Sequence, residues 1–485
     1  MIFTKNMENN MKETPKRIYS SYQKEIFRDI SKGEGNTIVI ARAGSAKTTT
    51  LVEGSKYIKR GLKTLFCAFN KSIQLELKEK LGSYVECLTL HSLGLRGIKQ
   101  RFGNVEIDYD KTWKIVSSFI DNDIDLTQSI CKAVSLCKAT LTDTSKNIGD
   151  LLDKYDIDLC EIEVHEFIRY VSKTLRMCKE DTKTICFDDM IWFPFVYQIN
   201  VGKYDFVFID ESHDLNRAQI ELAISACKPN GRVIAVLDPN QAIYSWRGAD
   251  IEVLNNLKTR LNPKELTLPI CYRCPKKVVY FAQKIVPDIT PYENAIDGEI
   301  ITIQLSDLMK HAKAGSYVIS RVNAPLIRQC LLFLKNNIPA NILGRDIGSS
   351  LLYIVKKSKK KTIKSLLGWL AKWEVDEKEK LLTKYPNAGT DVIADKAECL
   401  RMLCEDITSI KELQDNVNAL FKDNEEKNIV LFSSIHRVKG KESDDVFVLA
   451  DTLRSSSEEE LNIKYISYTR SKRKLFLVYK TIPTK

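Results

Sequence analysis

Apolar residues in this chain fall into short continuous runs and helical stripes, and their alternation predicts a parallel α/β fold. SYQKEIFRDI has helical spacing, NTIVIARAG is a buried-strand run ending in a Gly-containing turn, and KTTTLVEGSKYIKRG resumes helical spacing. Strand KTLFCAF and helix NKSIQLELKEKL repeat the unit, as expected of a parallel sheet. KYDFVFIDE and GRVIAVLDP are apolar strands that end in carboxylates, at the edge where an open α/β sheet holds its ligands.

The pattern divides the chain. Residues 1–14 are polar and read as a disordered tail, and 15–94 with 181–264 form a first α/β domain. Between them, 95–180 carries helical spacing and no strand signal, as a helical insertion would. A second α/β domain takes 265–349 and 426–485, with strands EIITIQL, GSYVISR, ANILGRD, NIVLFSSIH, DDVFVLAD and KLFLVYK. It is interrupted by a lysine-rich helical insertion, 350–425, whose run Lys356, Lys357, Lys359, Lys360, Lys361 is either a solvated helix face or a phosphate contact.

Composition narrows the class. At 485 residues, 44% hydrophobic and 28% charged, the chain has room for two to four domains with cores of their own. The N-terminal MIFTKNMENNMKET has no signal-peptide run, and no stretch approaches the roughly 18 apolar residues of a membrane span. An intracellular protein without a membrane partner is expected. Thirteen cysteines without paired spacing suit a reducing compartment, and the one CxxC, Cys271 to Cys274, has no second pair to complete a zinc site. Five histidines argue against a histidine base, and a net charge of +11 fits either a polyanionic partner or a solvated basic surface.

The chemistry concentrates at strand ends. ARAGSAKTTT, residues 41–50, approximates GxxxxGK followed by Ser or Thr, a loop whose N–H groups wrap phosphate oxygens at a helix N-terminus. Ala41 and Ala46 stand where that pattern has Gly, so an ordinary strand-to-helix turn is the alternative. In the phosphate reading Lys47 reaches the β/γ-phosphates and Thr48 the Mg²⁺ ion. Asp210 and Glu211 close DFVFIDE, where one carboxylate can hold the metal and the other orient water, unless both are only helix caps. Arg273 in CYRCP and Arg470 in YTRSKRK supply cations that cleft closure would bring to a γ-phosphate.

Taken in order from about Tyr22 to Tyr479, the segments YQKEI, ARAGSAKTT, FNKSI, TLHSLG, VFIDESHD, LDPNQAIYSWRGAD, CYRCP, IHRVKGKESDDVF and NIKYISYTRSKRKL resemble the motif series of UvrD/Rep-like superfamily 1 helicases. The resemblance implies two RecA-like parallel-sheet domains with mostly helical insertions (1B-like, and a reduced 2B-like), ATP and Mg²⁺ between them, and stepwise 3′ to 5′ movement on single-stranded DNA. It implies that Gln23 reads adenine and Tyr272 stacks on it, and that Ala43, Gly44, Ser45, Ala46, Lys47, Thr48 and Thr49 hold the phosphates. It further implies Thr48 and Asp210 as metal ligands, Glu211 as catalytic carboxylate, Gln241 as γ-phosphate sensor, Arg273 and Arg470 as arginine fingers, and Glu442 beside the ribose. Single-strand contacts fall to Phe69, Asn70, His91, Tyr244, Trp246, Arg247 and His436. Aromatic rings stack on any base and grip a strand without reading it, although Tyr244 and Trp246 also suit a core.

Three departures stand out. Ala46 replaces the Gly before the loop lysine and Arg42 a small residue or Pro; His213 stands where Gln is common; the chain is shorter than many relatives. The expected activity is an ATP-dependent DNA helicase acting at single/double-strand junctions in repair, recombination or replication, as a monomer with accessory proteins. Its alternatives are a translocase that strips proteins from single strands and a nucleotide-binding module without turnover.

Overall fold

The computed structural model describes residues 18–121, 123–243, 253–384, 390–422 and 428–482, and two parallel sheets organise them. In the first, the strand order is Val85–Thr89, Thr64–Ala68, Tyr204–Ile209, Cys227–Leu237, Thr37–Ala41, Lys264–Leu268. The second runs Glu299–Gln304, Ser471–Tyr479, Ser443–Leu449, Tyr317–Ser320, Val430–Ser434, Ala340–Leu343, Phe421–Lys422. Every pairing in both is parallel. This is the α/β class with the two RecA-like sheets the sequence predicts.

Continuous apolar runs become strands here because both sheet faces are covered. In the first sheet Ile38, Leu65, Val207 and Ala235 enter one core cluster, and their neighbours Val39, Phe66, Phe208 and Ile234 enter another on the opposite face. That is the period of two that a pleated strand imposes. The second sheet repeats it, with Val318, Phe432, Phe447 and Phe476 on one side and Ile319, Val446, Val448 and Leu475 on the other. Phe447 and Phe476 stack at 4.1 Å and 9°.

Several boundaries differ from the sequence reading. Lys264–Leu268 lies across the expected 264/265 division, yet it pairs with Thr37–Ala41 and so extends the first sheet. Val85–Thr89 is a strand that the apolar pattern did not reveal, because Glu86 interrupts a five-residue run at the sheet edge. The helix after the phosphate-loop turn ends at Ser55, short of the predicted KYIKRG extension. Glu106–Ile107 of the first insertion pairs with Thr184–Ile185, just beyond its expected end at 180, where no strand was expected, so the insertion runs past that bound. The tail 1–14 lies outside the described residues.

The first insertion has its own core, from Ile98 through Val134 and Phe167 to Phe193. At its centre Lys111 and Lys138 both pair with Asp189, at 3.0 and 2.8 Å, with all three side chains at most 2% exposed. Asp189 also accepts the Cys186 N–H, so the buried triad fixes the 186–189 turn. The lysine-rich helices behave differently: Leu351, Leu366, Leu400, Leu413 and Val417 join the same core cluster as Phe432 and Phe447 of the second sheet. Within the lysine run, Lys357 pairs with Asp125 of the first insertion at 2.7 Å.

Candidate active site

All strands of the first sheet point the same way, so the residues just past Ala41, Ile209, Leu237 and Leu268 gather along one edge. The loop 42–46, Asp210 and Glu211, Asp238 to Gln241, and the CYRC segment therefore meet. The second sheet faces that edge with the opposite ends of two strands, since Glu442 precedes Ser443–Leu449 and Arg470 precedes Ser471–Tyr479. Loop residues Ala43, Cys271 and Cys274 consequently pack in the same core cluster as Ile463, Tyr465 and Val446.

The loop is built for close approach. Gly44 has φ +68°, and a Cβ there would lie 2.7 Å from Arg273 Cβ and 2.8 Å from Cys271 Sγ. Ala46 adopts φ 61°, ψ 41° as N-cap of the helix Lys47–Ser55, which has no side-chain cap. Left-handed backbone costs a non-glycine residue about 1–2 kcal/mol, so Ala46→Gly should relieve more strain than it adds in chain entropy. A rise of about 1–3 °C in thermal midpoint is expected; a fall would show that the Ala46 methyl packs favourably. Ser45 Oγ is buried and has no hydrogen-bond partner. An uncapped helix N-terminus with a buried, unpartnered hydroxyl beside it is a set of donors suited to an anion.

Beside the loop, Lys47 Nζ lies 3.2 Å from Glu211 Oε2, and the Thr48 hydroxyl donates to Asp210 Oδ2. Burial, then the neighbouring Glu211 carboxylate, pushes the Asp210 carboxyl up to about 7. Glu211 itself sits at φ 49°, a second non-glycine residue in left-handed backbone. Such strain collects where a functional geometry overrides local preference. Gln241 donates to Asp238 Oδ2 at 2.5 Å. His213 is fully buried and held well below its ordinary range by desolvation, then by Lys439.

Two arginines converge. Arg273 Nε donates to Glu442 Oε2 at 2.6 Å and its Nη1 to Thr469 O at 3.2 Å. Arg470 is 1% exposed and donates to Ile466 O, Lys441 O and Thr469 Oγ1. Burial, then Arg273, pushes its guanidinium down to about 10. On the other side, Tyr272 Oη donates to Gln23 Oε1 at 3.4 Å, while Gln23 also caps its own helix and bonds Thr50. Thr49 is half-buried in the first turn after Lys47.

Some residues at this seam escaped the sequence reading. Tyr465 Oη accepts the Ala43 N–H at 2.8 Å, and Asn462 Nδ2 donates to Ala242 O at 3.2 Å, so one face of the helix Glu458–Tyr468 is bonded to the first half. Lys439 Nζ meets Asp214 at 2.5 Å, His213 Nε2 at 3.2 Å and Gln241 O at 2.7 Å. Arg42, noted only as a departure, grips Asp288 through Nε at 2.7 Å and Nη2 at 2.6 Å and faces Asp238 at 3.5 Å. Spacing could flag Arg42 as unusual; nothing in the sequence pairs it with Asp288.

Of the expected strand contacts, Phe69, Asn70, His91 and His436 lie among the described residues. Phe69 is 42% exposed at the end of the strand Thr64–Ala68. Asn70 serves as a helix cap, its side chain accepting from Ile73 N. The His91 ring stacks on Phe187 at 3.7 Å and 21°, and desolvation pulls its pKa down to about 4. Phe187, which the sequence reading missed, is 45% exposed and is followed by Tyr109 at 6.4 Å, itself 74% exposed. Its only sequence signal is a lone aromatic between Cys186 and Asp188, ahead of an apolar helix. His436 is half-buried in the turn Ile435–Val438. Tyr244, Trp246 and Arg247 lie outside the described residues.

Comparison with known proteins points to one family. The UvrD/REP helicase N-terminal domain model matches residues 22–262, and the UvrD-like helicase C-terminal domain model matches 430–478. The ATP-dependent DNA helicase PcrA of Staphylococcus aureus (strain Mu50) is 23% identical over 409 residues, which cover 70% of this chain and 51% of that protein. PcrA of Bacillus subtilis is 25% identical over 289 residues, covering 52% of this chain and 38% of its own. A probable DNA helicase II homolog of Mycoplasma genitalium is 23% identical over 320 residues, covering 56% and 43%. The chain thus spans about half the length of the curated relatives it matches. Among solved structures, the arterivirus nonstructural protein 10 helicase aligns with a TM-score of 0.36 and 11% identity, covering 94% of this chain and 61% of that one. The two family models together take in more than half of the chain, in the expected order and on the two sheets that form the seam, and the chain belongs to the UvrD/REP helicase family.

Proposed function

We propose that the chain is an ATP-dependent DNA helicase that moves 3′ to 5′ on single-stranded DNA and separates duplex by hydrolysing ATP. The observation that carries this reading is the composition of the seam. Lys47, Asp210, Glu211 and Gln241 come from the edge of one sheet, Arg470 and Glu442 from the other, and Arg273 from the segment between them. A phosphate placed there is held only when both sheets close on it, which ties hydrolysis to their relative movement.

The chain's own groups suggest the roles. The loop 43–49 supplies N–H donors and the Ser45 hydroxyl to the phosphates, and Lys47 leaves Glu211 to reach them. Glu211, released from Lys47, accepts the proton of an attacking water. A Mg²⁺ ion, which Thr48 and Asp210 would hold, supplies positive charge against the phosphate oxygens. Gln241, Arg273 and Arg470 meet charge developing on the transferred group. Gln23 and Tyr272 offer an amide and a ring to the base, and Glu442 a carboxylate to the ribose.

The stacked pair His91 and Phe187 offers ring surface to bases, and Phe69, Asn70 and His436 are assigned to the same strand by resemblance, as are Tyr244, Trp246 and Arg247. Base–aromatic stacking contributes about 1–3 kcal/mol per base. Phe187→Ala is therefore expected to weaken binding of a fluorescent oligonucleotide about tenfold while nucleotide affinity stays the same. Unchanged anisotropy titrations would remove Phe187 from the strand path.

One observation favours a second reading, a translocase that displaces bound proteins without robust unwinding. The lysine-rich helices are packed into the core of the second sheet, which leaves less of them to engage duplex. ATPase assays with and without single-stranded DNA test the motor. Unwinding of 3′- and 5′-tailed duplexes beside a protein-displacement assay then separates the two readings, and displacement without unwinding would overturn the first. A role at replication or repair junctions, with accessory proteins and as a monomer, belongs to the same proposal.

A further inference from the structure

The lone CxxC lies inside the seam. Cys271 ends the strand Ile270–Cys271, and Cys274 precedes Pro275 and the helix Lys276–Ala282. Both thiols are buried, at 0% and 1% exposure. Cys274 N–H donates to Cys271 Sγ at 3.4 Å, and Cys274 Sγ–H donates to Thr469 O at 3.4 Å. Thr469 O is the same atom that accepts from Arg273 Nη1. The first of the two residues between the cysteines, Tyr272, donates its N–H to Gly44 O at 2.8 Å. The thiol pair thus flanks Arg273, shares its acceptor, and touches the phosphate loop.

Cys271 differs from the other cysteines, whereas the bond to Cys271 and then burial hold the Cys274 thiol well above the ordinary range, so that Cys271 is the attacking thiol. Hydrogen bonding from Cys274 pulls the Cys271 thiol down to about 7 against the effect of burial. Burial instead pushes Cys87, Cys186, Cys227 and Cys404 up to about 11. Among the described residues no three His, Cys, Asp or Glu side chains are grouped to hold a metal, so the pair lacks the four ligands of a zinc site.

We propose that Cys271 and Cys274 form a dithiol–disulfide site, oxidised by a low-molecular-weight disulfide when the seam opens, that withdraws Arg273 from its place in ATP hydrolysis. Cys271 Sγ, deprotonated, attacks one sulfur of R–S–S–R; an S–S bond forms, the R–S–S–R bond breaks, and the departing thiolate takes up the proton. Cys274 Sγ, deprotonated in turn, attacks Cys271 Sγ, and the second R–S⁻ leaves and is protonated. Two protein S–H groups and one R–S–S–R become one protein S–S and two R–SH, with two electrons passed to the small disulfide. The sulfurs then draw from hydrogen-bond contact to about 2.05 Å. Cys274 loses the hydrogen it gave to Thr469 O, and the turn that carries Arg273 contracts. Gly44 on one side and Thr469 on the other cover the thiols, so a closed, nucleotide-bound seam protects them.

The effect on turnover rests on the proposed hydrolysis; the thiol chemistry and its protection do not. The full chain would be incubated with glutathione disulfide, with and without a non-hydrolysable ATP analogue, and its free thiols alkylated and mapped by mass spectrometry. A Cys271–Cys274 cross-linked peptide is expected, forming at least tenfold more slowly with the analogue. ATPase activity should fall at least tenfold as the cross-link forms and return with dithiothreitol. Cys274→Ser, which keeps a donor for Thr469 O, should retain turnover in reductant and lose the sensitivity; Cys271→Ser provides an independent variant. Absence of the cross-link while the partly exposed Cys160, outside the seam, is oxidised would overturn the proposal, as would a cross-link that leaves turnover unchanged. If the reduced protein hydrolyses no ATP, the hydrolytic reading fails separately, and the cross-link and its protection by the analogue still decide the thiol site.

Discussion

Replacing Arg470 with Met is expected to lower ATP turnover by about 10³-fold or more, the scale of an arginine finger, while leaving the nucleotide-free protein as stable as before or more so. The two effects have opposite signs because Arg470 is a buried cation without a carboxylate within ion-pair distance among the described residues. It donates only to two main-chain carbonyls and one hydroxyl, and Arg273 repels it. With a folded pKa of about 10, below its ordinary 12.5, the charged group opposes folding at every pH below that value. A side chain of similar volume without charge removes that opposition. A phosphate is the partner such a group lacks, so a non-hydrolysable ATP analogue should raise the thermal midpoint less in the variant. Thermal scans with and without the analogue, beside steady-state ATPase, check both parts. Turnover within tenfold of the parent would end the finger assignment, and a midpoint lowered by more than about 5 °C would show that Arg470 stabilises the free protein after all.

Glu211→Gln is expected to cut turnover by about 10²- to 10⁴-fold, the usual contribution of a general base, with nucleotide binding preserved or tightened. Glu211 is one of two causes that push Asp210 up to about 7, the larger being burial. Without the second carboxylate Asp210 loses its proton at lower pH and is more fully ionised near neutrality, which favours a divalent cation. Lys47, which faces Glu211 at 3.2 Å, is freed as well. Lys47→Ala provides the contrast, since it removes a phosphate partner and should weaken binding itself. Calorimetric titration with ATP and Mg²⁺ separates the two variants. Turnover reduced less than tenfold in Glu211→Gln would remove that residue as the base.

Strand identity was legible because parallel sheets need continuous apolar runs, and NTIVIA, TLFCAF, FVFI and VIAVL have no competing helical spacing. The chemistry was legible for a related reason: a parallel sheet puts every strand's end on one edge, so residues that follow such runs are brought together whatever lies between them in sequence. Lys47, Asp210, Gln241 and Arg273 are all of this kind. What stayed hidden depends on distance in sequence. Lys264–Leu268 has three exposed charged or polar residues, Lys264, Glu265 and Thr267, and joins the first sheet only through Thr37–Ala41. Tyr465, Lys439 and Arg42 are recognisable only from partners some 200 to 420 residues away, at Ala43, Asp214 and Asp288. Phe187 was missed because a lone exposed ring has no periodicity; its stacking on His91 is a tertiary fact.

The order of strands in the first sheet also bears on how the protein is made. Thr37–Ala41, which leads into the phosphate loop, lies between Cys227–Leu237 and Lys264–Leu268 and pairs with no strand translated before them. At about 5–20 residues per second, that strand leaves the ribosome roughly ten to forty seconds before either neighbour exists. Throughout that interval it offers two unpaired apolar edges, the kind of surface on which nascent chains aggregate. The segment that shapes the site is thus synthesised well before the strands that give it its form.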